Sequence, residues 1–280
     1  MSNKKDSLGD QKELSSEQLE VLYGAMLGDG CLIKHKNGVN ALFSYLSKSR
    51  QHVEFVANYF KDYWAYKEIK DGNYYDNRTN KFYYHSKIRT YSLDIFTKEY
   101  DKWYKDGCKH IPQDIKLTPL MCLIWYIGDG CICHSKNTQN IKLATQCFSK
   151  EEQQKVLIPQ LKNFEAKLMK ADVSKDGRQQ YFIYIPRRKI KKFLDYIGPC
   201  PFSDYEYKWD YKEYVNFSLS QHPEFVQSMI GYFNNGMSAN TIAKQLNVDR
   251  STVVKYLIQN GLNPKDNLYK KKKVGGNNEE

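Results

Sequence analysis

Two aspartates stand one hundred positions apart in the same local setting, Asp29 within Gly28-Asp29-Gly30 and Asp129 within Gly128-Asp129-Gly130. Each ends a run of apolar residues at helical spacing: Leu19, Leu22, Tyr23, Met26 and Leu27 before the first, Leu123, Ile124, Trp125 and Ile127 before the second. A carboxylate at a helix C-terminus faces the negative end of the helix dipole, an adverse placement of roughly 0.3–1 kcal/mol. Two such groups brought together compound that cost. A divalent cation held between them reverses it, and Mg2+ takes hard oxygen ligands of this kind. Gly24, Ala25, Gly28 and Gly128 give the two helices little side-chain bulk, so their backbones can approach closely. Gly30 and Gly130, directly after the acids, are expected to leave the helices through positive φ. The pattern points to a metal site at a pseudo-twofold axis.

The elements that place these residues recur with the same period, which marks two copies of one supersecondary unit. The first copy opens at Ser15, with Gln18 as its capping-box partner. A hairpin follows, Cys31 to Lys36 against Val39 to Ser47 around Asn37-Gly38, where both turn residues are expected at positive φ. Next come a helix from about Arg50 to Tyr66, a hairpin pairing Tyr74-Tyr75 with Tyr83 to Tyr91 around Asp76 to Asn80, and a helix from about Leu93 to Tyr104. The second copy opens at Thr118-Pro119. It continues with a strand from Ile141 to Gln146, a helix capped by Ser149 from about Lys150 to Leu168, a hairpin turned at Asp176-Gly177 into Gln180 to Ile185, and a helix from Arg188 to Tyr196. Helix, hairpin, helix, hairpin, helix in each copy is an α+β plan with antiparallel strands and no phosphate loop. Further on, Phe225, Met229, Ile230 and Phe233 line a helix, Ser238 caps a second, and Asp249 caps a third after a short turn at Asn247-Val248. That is the helix-turn-helix plan. The expected bounds are a flexible terminus over 1–14, repeats over 15–116 and 117–217, the helix-turn-helix unit over 218–264 and a basic flexible tail over 265–280.

At 280 residues, 41% of them hydrophobic and 14% aromatic, the chain can bury a sizeable core, which argues against disorder. Lys and Arg number 43 against 32 Asp and Glu, and the net charge of +11 favours an acidic partner. Nucleic acid comes first, because clustered cations release counterions from phosphates. No run of about 18 apolar residues occurs and the opening residues lack a signal-peptide pattern, so neither a membrane span nor a secretory leader is expected. Seven cysteines without framework spacing imply a reduced, intracellular setting: the cytoplasm of a bacterial or phage-infected host, or an organelle matrix. Cys131 and Cys133 beside His134, and Cys108 near His110, lack the gap that tetrahedral thiolate sites use, so zinc is not expected.

Leu22-Tyr23-Gly24-Ala25-Met26-Leu27-Gly28-Asp29-Gly30 and Cys122-Leu123-Ile124-Trp125-Tyr126-Ile127-Gly128-Asp129-Gly130 resemble the paired signatures of the LAGLIDADG homing endonucleases in their single-chain, two-repeat form. Lys109-His110-Ile111-Pro112, Leu117-Thr118-Pro119, Ala144 to Ser149 and Tyr207-Lys208-Trp209 are similar to stretches around the second motif in meganucleases of that family. The resemblance covers roughly residues 15 to 215. Ile124 stands where the first copy has Gly24, and Leu27 and Ile127 replace the motif's other acidic residue; both aspartates are kept.

The resemblance implies two αββαββα-type repeats with saddle-shaped antiparallel sheets and motif helices packed side by side. It implies a monomer that hydrolyses both strands of a long double-stranded DNA target across the minor groove, leaving short 3′ overhangs. Asp29 and Asp129, with Gly28 and Gly128, would hold two or three Mg2+ ions, for which Ca2+ or Mn2+ can substitute. Lys109 and Lys208 match the basic-pocket lysines, one per active site, and Gln146 would hydrogen-bond a metal-bound water. Strand alternation places His85, Lys87 and Arg89 on one DNA-reading face, Lys142 with Gln146 on another, and Lys34 with Lys36 together. Arg178 and Gln180 beside the Asp176-Gly177 turn join them. Arg250, Ser251, Thr252 and Lys255, early on the last helix, would make a second DNA footprint. Two rival readings share these features: a non-cutting DNA-binding regulator of the WhiA kind, and an intron maturase that binds folded RNA.

Overall fold

The computed structural model describes residues 13–66, 68–135, 138–174, 176–211 and 223–267. The chain divides into two compact units, residues 1–214 and 215–280. In the first, the chain runs α1 (Ser16–Leu27), β1 (Cys31–Lys34), β2 (Ala41–Ser47), α2 (Arg50–Tyr59), β3 (Lys70–Asp76), β4 (Lys81–Arg89) and α3 (Asp94–Trp103). A two-residue pair, β5 (Tyr104–Lys105) with β6 (Cys108–Lys109), closes that half. The second half runs α4 (Pro119–Asp129), β7 (Gly130–Ser135), β8 (Thr138–Leu143), α5 (Lys150–Glu152), α6 (Ile158–Gln160), β9 (Lys167–Val173), β10 (Gln179–Pro186) and α7 (Ile190–Ile197). Each half forms a four-stranded antiparallel sheet with the same order, β1-β2-β4-β3 and β7-β8-β10-β9. The chain thus has the expected α+β, two-repeat architecture.

Local chemistry explains the helix starts. Ser15 and Gln18 make the reciprocal capping box, with Gln18 N donating to Ser15 Oγ at 3.2 Å and Ser15 N to Gln18 Oε1 at 3.0 Å. Thr118 Oγ1 accepts from Met121 N at 3.2 Å, with Pro119 at the first helical position where its missing N–H costs nothing. Leu22, Ala25 and Met26 of α1 and Cys122, Trp125 and Tyr126 of α4 lie in one apolar core that spans both repeats.

Several expectations are corrected. The chain packs from Leu14, which is buried, so the last residue of the expected flexible terminus belongs to the core; residues 1–12 lie outside the described ones. The first hairpin does not turn on a positive-φ Asn37-Gly38 pair: neither has positive φ, and Gly38 N instead donates to His35 O at 2.8 Å in a longer connection. Lys36 therefore sits in that turn, sharing no strand face with Lys34, and Lys34 alternates with Leu32 on the core side of β1. The strand expected to reach Gln146 stops at Leu143, leaving Gln146 in the following turn. The helix from Arg50 stops at Tyr59 and tightens into a single 3-10 turn over Lys61–Tyr63. The long helix expected to Leu168 widens into a π turn over Gln153–Leu157, just before Pro159, and the chain leaves it at Glu165, φ 52°. Proline cannot donate back to the preceding turn, so the ladder loses its regular register there.

The second unit has three helices, α8 (Pro223–Asn234), α9 (Ala239–Gln245) and α10 (Arg250–Gln259), around a core of Met229, Phe233, Ile242, Val253 and Leu257. Ser238 Oγ accepts from Thr241 N as a cap, whereas Asp249 occupies the cap position of α10 without a side-chain hydrogen bond. Asn267 is buried and donates to Met237 O at 3.1 Å, so the packed unit extends past the expected start of the tail. The expected boundary at 217/218 falls outside the described residues.

Candidate active site

Helices α1 and α4 lie against each other, and their glycines set how closely. A Cβ built on Gly24 would stand 2.5 Å from Met121 O and 2.8 Å from Ile124 Cβ, so position 24 admits no side chain. This accounts for the break in repeat symmetry: with Ile124 filling the seam from one side, the matching residue on the other must be glycine. Gly30 and Gly130 also have steric grounds, though not the expected ones, for neither has positive φ. A Cβ on Gly30 would meet the Ala25 Cβ at 2.8 Å, and one on Gly130 would meet Tyr126 Cδ2 at 2.2 Å. The chain folds back so tightly onto each helix's last turn that only glycine fits.

At the helix ends the two aspartates converge reciprocally. The Cβ position of Gly28 lies 3.6 Å from Asp129 Oδ2, and that of Gly128 lies 3.4 Å from Asp29 Oδ2. Each carboxylate packs against the other motif's glycine. Burial pushes the Asp129 carboxyl up to about 6, with the charge of Asp29 adding to the rise and Lys109 and Lys208 opposing it. Asp29 is raised too, by burial, against the pull of Lys208, Lys109 and Lys48. Asp29 is exposed to solvent and Asp129 half-buried, so the pair is open to a ligand rather than sealed in the core.

Two lysines stand at the same helix ends. Lys109 Nζ donates to Gly30 O at 3.0 Å and to Gly28 O at 3.4 Å. Lys208 Nζ donates to Ile127 O at 2.6 Å and to Gly128 O at 3.4 Å. Both cations meet carbonyls that the helices leave unpaired, at the negative dipole end. Burial lowers the pKa of both, while the aspartates and nearby cysteines work the other way. Lys109 is foremost among the cations acting on Asp129, and Lys208 among those acting on Asp29.

The donor set suits a hard cation. Among the described residues no cluster of three His, Cys, Asp or Glu side chains could hold a metal, so the two carboxylates need further oxygens from backbone or ligand. Anionic oxygen with carbonyl oxygen is Mg2+ chemistry, and two crowded carboxylates with a raised pKa gain from such a charge.

The sheet faces can be read from the pairing. In β4, Ser86 and Ile88 are buried, and His85, Lys87 and Arg89 share the opposite face beside Ser44 and Leu46 of β2. His85 Nδ1 and Arg89 Nε are buried there without a hydrogen-bond partner. Lys142 pairs with Cys131 and Tyr184 on the equivalent face of the second sheet, its Nζ 4.6 Å from the Phe182 ring. Gln180 lies at an irregularity in the β9–β10 pairing, and Arg178 in the turn after Gly177. Arg250, Ser251, Thr252 and Lys255 all lie on α10, within its first two turns.

Sequence reasoning missed Lys48, whose charge reaches Asp29. Cys31 pairs with Ser44 and Cys131 with Lys142, so the second hairpin is two residues shorter and Lys48 occupies the counterpart position of Gln146. Shifting the repeat alignment by those two residues after the hairpin would have found it.

Residues 19–193 match the profile of the LAGLIDADG DNA endonuclease family, well over half of the chain. The chain belongs to this family. It is 26% identical over 228 residues to the cytochrome b mRNA maturase bI2 of Saccharomyces cerevisiae, covering 74% of this chain and 51% of that protein. The chain thus spans about half the length of the yeast relative. It is 27% identical over 203 residues to the DNA endonuclease I-ChuI of Chlamydomonas applanata, covering 66% of this chain and 91% of that one. The fold is similar to that of the homing endonuclease I-WcaI, solved bound to its DNA recognition sequence, with a TM-score of 0.62 at 23% identity, over 76% of this chain and 100% of that one. No helix among the described residues of this LAGLIDADG protein is long and apolar enough to cross a membrane.

Proposed function

We propose that this protein is a site-specific homing endonuclease that hydrolyses both strands of a long duplex DNA target with divalent metal, leaving short 3′ overhangs. One observation carries the reading: Asp29 and Asp129 converge, each against the other motif's glycine, with a lysine at each helix end. The minor groove is about 6 Å wide, so the two scissile phosphates can lie near one paired centre. Asp29 and Asp129, with backbone oxygens of Gly28 and Gly128, are the residues that would hold the ions. When bound, these supply Lewis-acid stabilisation of the attacked phosphate and of the departing oxygen. The chain's own groups do the rest. Lys109 and Lys208 place positive charge where the pentacoordinate phosphorus gains negative charge. Gln146 and Lys48 occupy matching positions from which a polar group can orient the attacking water.

His85, Lys87, Arg89 and Lys142, and with them Arg178 and Gln180, supply base-edge and phosphate contacts. The unpartnered His85 Nδ1 and Arg89 Nε support a polar ligand on that face. Lys34 and Lys36, off that face, are left to phosphate contacts at most. The three-helix unit acts as a helix-turn-helix that adds DNA affinity through Arg250, Ser251, Thr252 and Lys255.

A second reading has one observation in its favour, the similarity to a protein named as a cytochrome b mRNA maturase. An RNA-binding role is compatible with the basic sheet faces, whereas a purely regulatory binder would have no use for the paired acids. The test is incubation with a randomised duplex library and Mg2+, followed by sequencing of the cut ends, with Asp29→Asn and Asp129→Asn alongside. Defined ends with 3′ overhangs from the parent alone support the endonuclease. Cutting that survives both substitutions overturns the proposed chemistry, and tight binding to structured RNA without any cutting favours the maturase.

A further inference from the structure

The stretches that deliver Lys109 and Lys208 are each tied to the opposite repeat. Residues 108–112 come from the first repeat, yet their anchor is Glu152, at the start of the second repeat's helix α5. Glu152 Oε1 accepts from Ile111 N at 3.0 Å and faces His110 Nδ1 at 3.0 Å. Its other oxygen closes the capping box with Ser149, accepting from Ser149 N at 3.0 Å and from Ser149 Oγ at 2.7 Å. Residues 203–208 come from the second repeat, and their anchor is the start of α2 in the first. Ser49 Oγ donates to Asp204 Oδ2 at 2.6 Å, Ser47 Oγ lies 3.0 Å from Tyr205 Oη, and the Tyr205 ring lies edge-on to buried His52. Ser49 is at the same time the cap of α2, accepting from His52 N at 3.1 Å. Ser49 and Ser149 play the same part, each capping the helix that follows the first hairpin of its repeat.

The lysines sit on these straps with little freedom of their own. Lys208 is buried, with Tyr126 Oη holding its carbonyl at 2.5 Å. Lys109 ends the short β5–β6 pair opposite Tyr104, and His110 N donates to Trp103 O at 2.7 Å. The strap anchors tie each lysine to the repeat whose aspartate it affects most, and Lys109 Nζ also lies over the Phe148 ring of the second repeat at 5.9 Å.

We propose that Glu152 and Asp204 are positioning residues: Glu152, from the second repeat, holds the strap that carries Lys109, and Asp204 ties its own strap, which carries Lys208, to Ser49 of the first repeat, so each half of the centre is assembled from both repeats. Glu152 governs Lys109 and Asp204 governs Lys208. The proposal rests on the endonuclease reading only for its catalytic consequence, since the anchoring itself is a property of the free protein. Asp204 is exposed and Glu152 half-buried, and neither belongs to the apolar core.

The test is competitive acetylation of lysines in the free, full-length protein with trace acetic anhydride, read by peptide mass spectrometry. In Glu152→Ala the Lys109 amine should react several-fold faster than in the parent while Lys208 is unchanged; Asp204→Ala should show the reverse. Equal changes at both lysines, or none, overturn the proposal, because loosening of the whole fold would expose both. The second measurement uses the duplex target recovered from the library, with the two strands labelled differently. Each variant should slow cutting of one strand on the order of ten-fold or more and accumulate nicked DNA, the two variants choosing opposite strands. Equal slowing of both strands contradicts positioning. A parent that cuts neither strand refutes the endonuclease reading and leaves the acetylation result to judge the anchors alone.

Discussion

The Asp129 carboxyl illustrates how much a single side chain's setting decides. Its folded pKa of about 6 stands above the ordinary carboxylate value, so between those two the folded state binds the proton more tightly than the unfolded chain does. Stability then falls as pH rises through that window and stays reduced above it. Without metal, Asp129→Asn should therefore raise the melting temperature at pH 7.5, by the equivalent of about 1 kcal/mol once solvent screening is allowed for, and make no difference near pH 3.5. Thermal melts in EDTA at both values check this, and added Mg2+ should stabilise the parent but not the variant. At this scale the sequence was most informative. Asp29 and Asp129 were identified from type and spacing, Lys109 and Lys208 from the family resemblance of their flanking residues, and the structure brings all four to the helix ends. Lys48 was not found, because a two-residue difference in hairpin length hides its correspondence with Gln146.

The paired helices α1 and α4 concern the next scale. Gly24 touches the backbone of Met121, not only the Ile124 side chain. Gly24→Ala should consequently destabilise the protein by about 1–3 kcal/mol, the usual range for overpacking, and trimming Ile124 to Ala should recover only part of it. Urea denaturation of the single and double variants measures both values; full recovery would place the clash on Ile124 alone. Element types were largely legible because capping boxes, Pro at a first helical position and apolar periodicity act locally. Boundaries were less so. The strand β9 took over Lys167 and Leu168, which carry helical spacing, since β-pairing with β10 outweighs local propensity. The glycines after the aspartates were identified correctly but for the wrong cause: their need is steric, and only coordinates show how close Ala25 and Tyr126 come.

Across the whole molecule, the net charge of +11 and two sheets with basic faces predict DNA affinity that falls steeply with salt. If the three-helix unit adds contacts, a chain ending after residue 211 should bind duplex DNA more weakly and with a shallower salt slope, yet still cut. Fluorescence anisotropy across a salt series distinguishes this from unchanged affinity, which would make the unit a bystander. The two-repeat plan was legible because the aspartates give the period directly, and the order β1-β2-β4-β3 recurs as β7-β8-β10-β9. The cross-tied straps were not legible, since local spacing gives only the Ser149 cap, and the hold of Glu152 on Ile111 and His110 depends on a fold that joins distant stretches.

The most direct measurement is a carbon-13 NMR titration of the aspartate carboxyls in the metal-free protein, parent against Asp29→Asn. The Asp129 resonance should titrate near pH 6 in the parent and move toward the ordinary carboxylate range once Asp29 loses its charge, and Mg2+ should shift both resonances in the parent. An Asp129 titration indifferent to Asp29, with neither resonance responding to Mg2+, would contradict a shared centre.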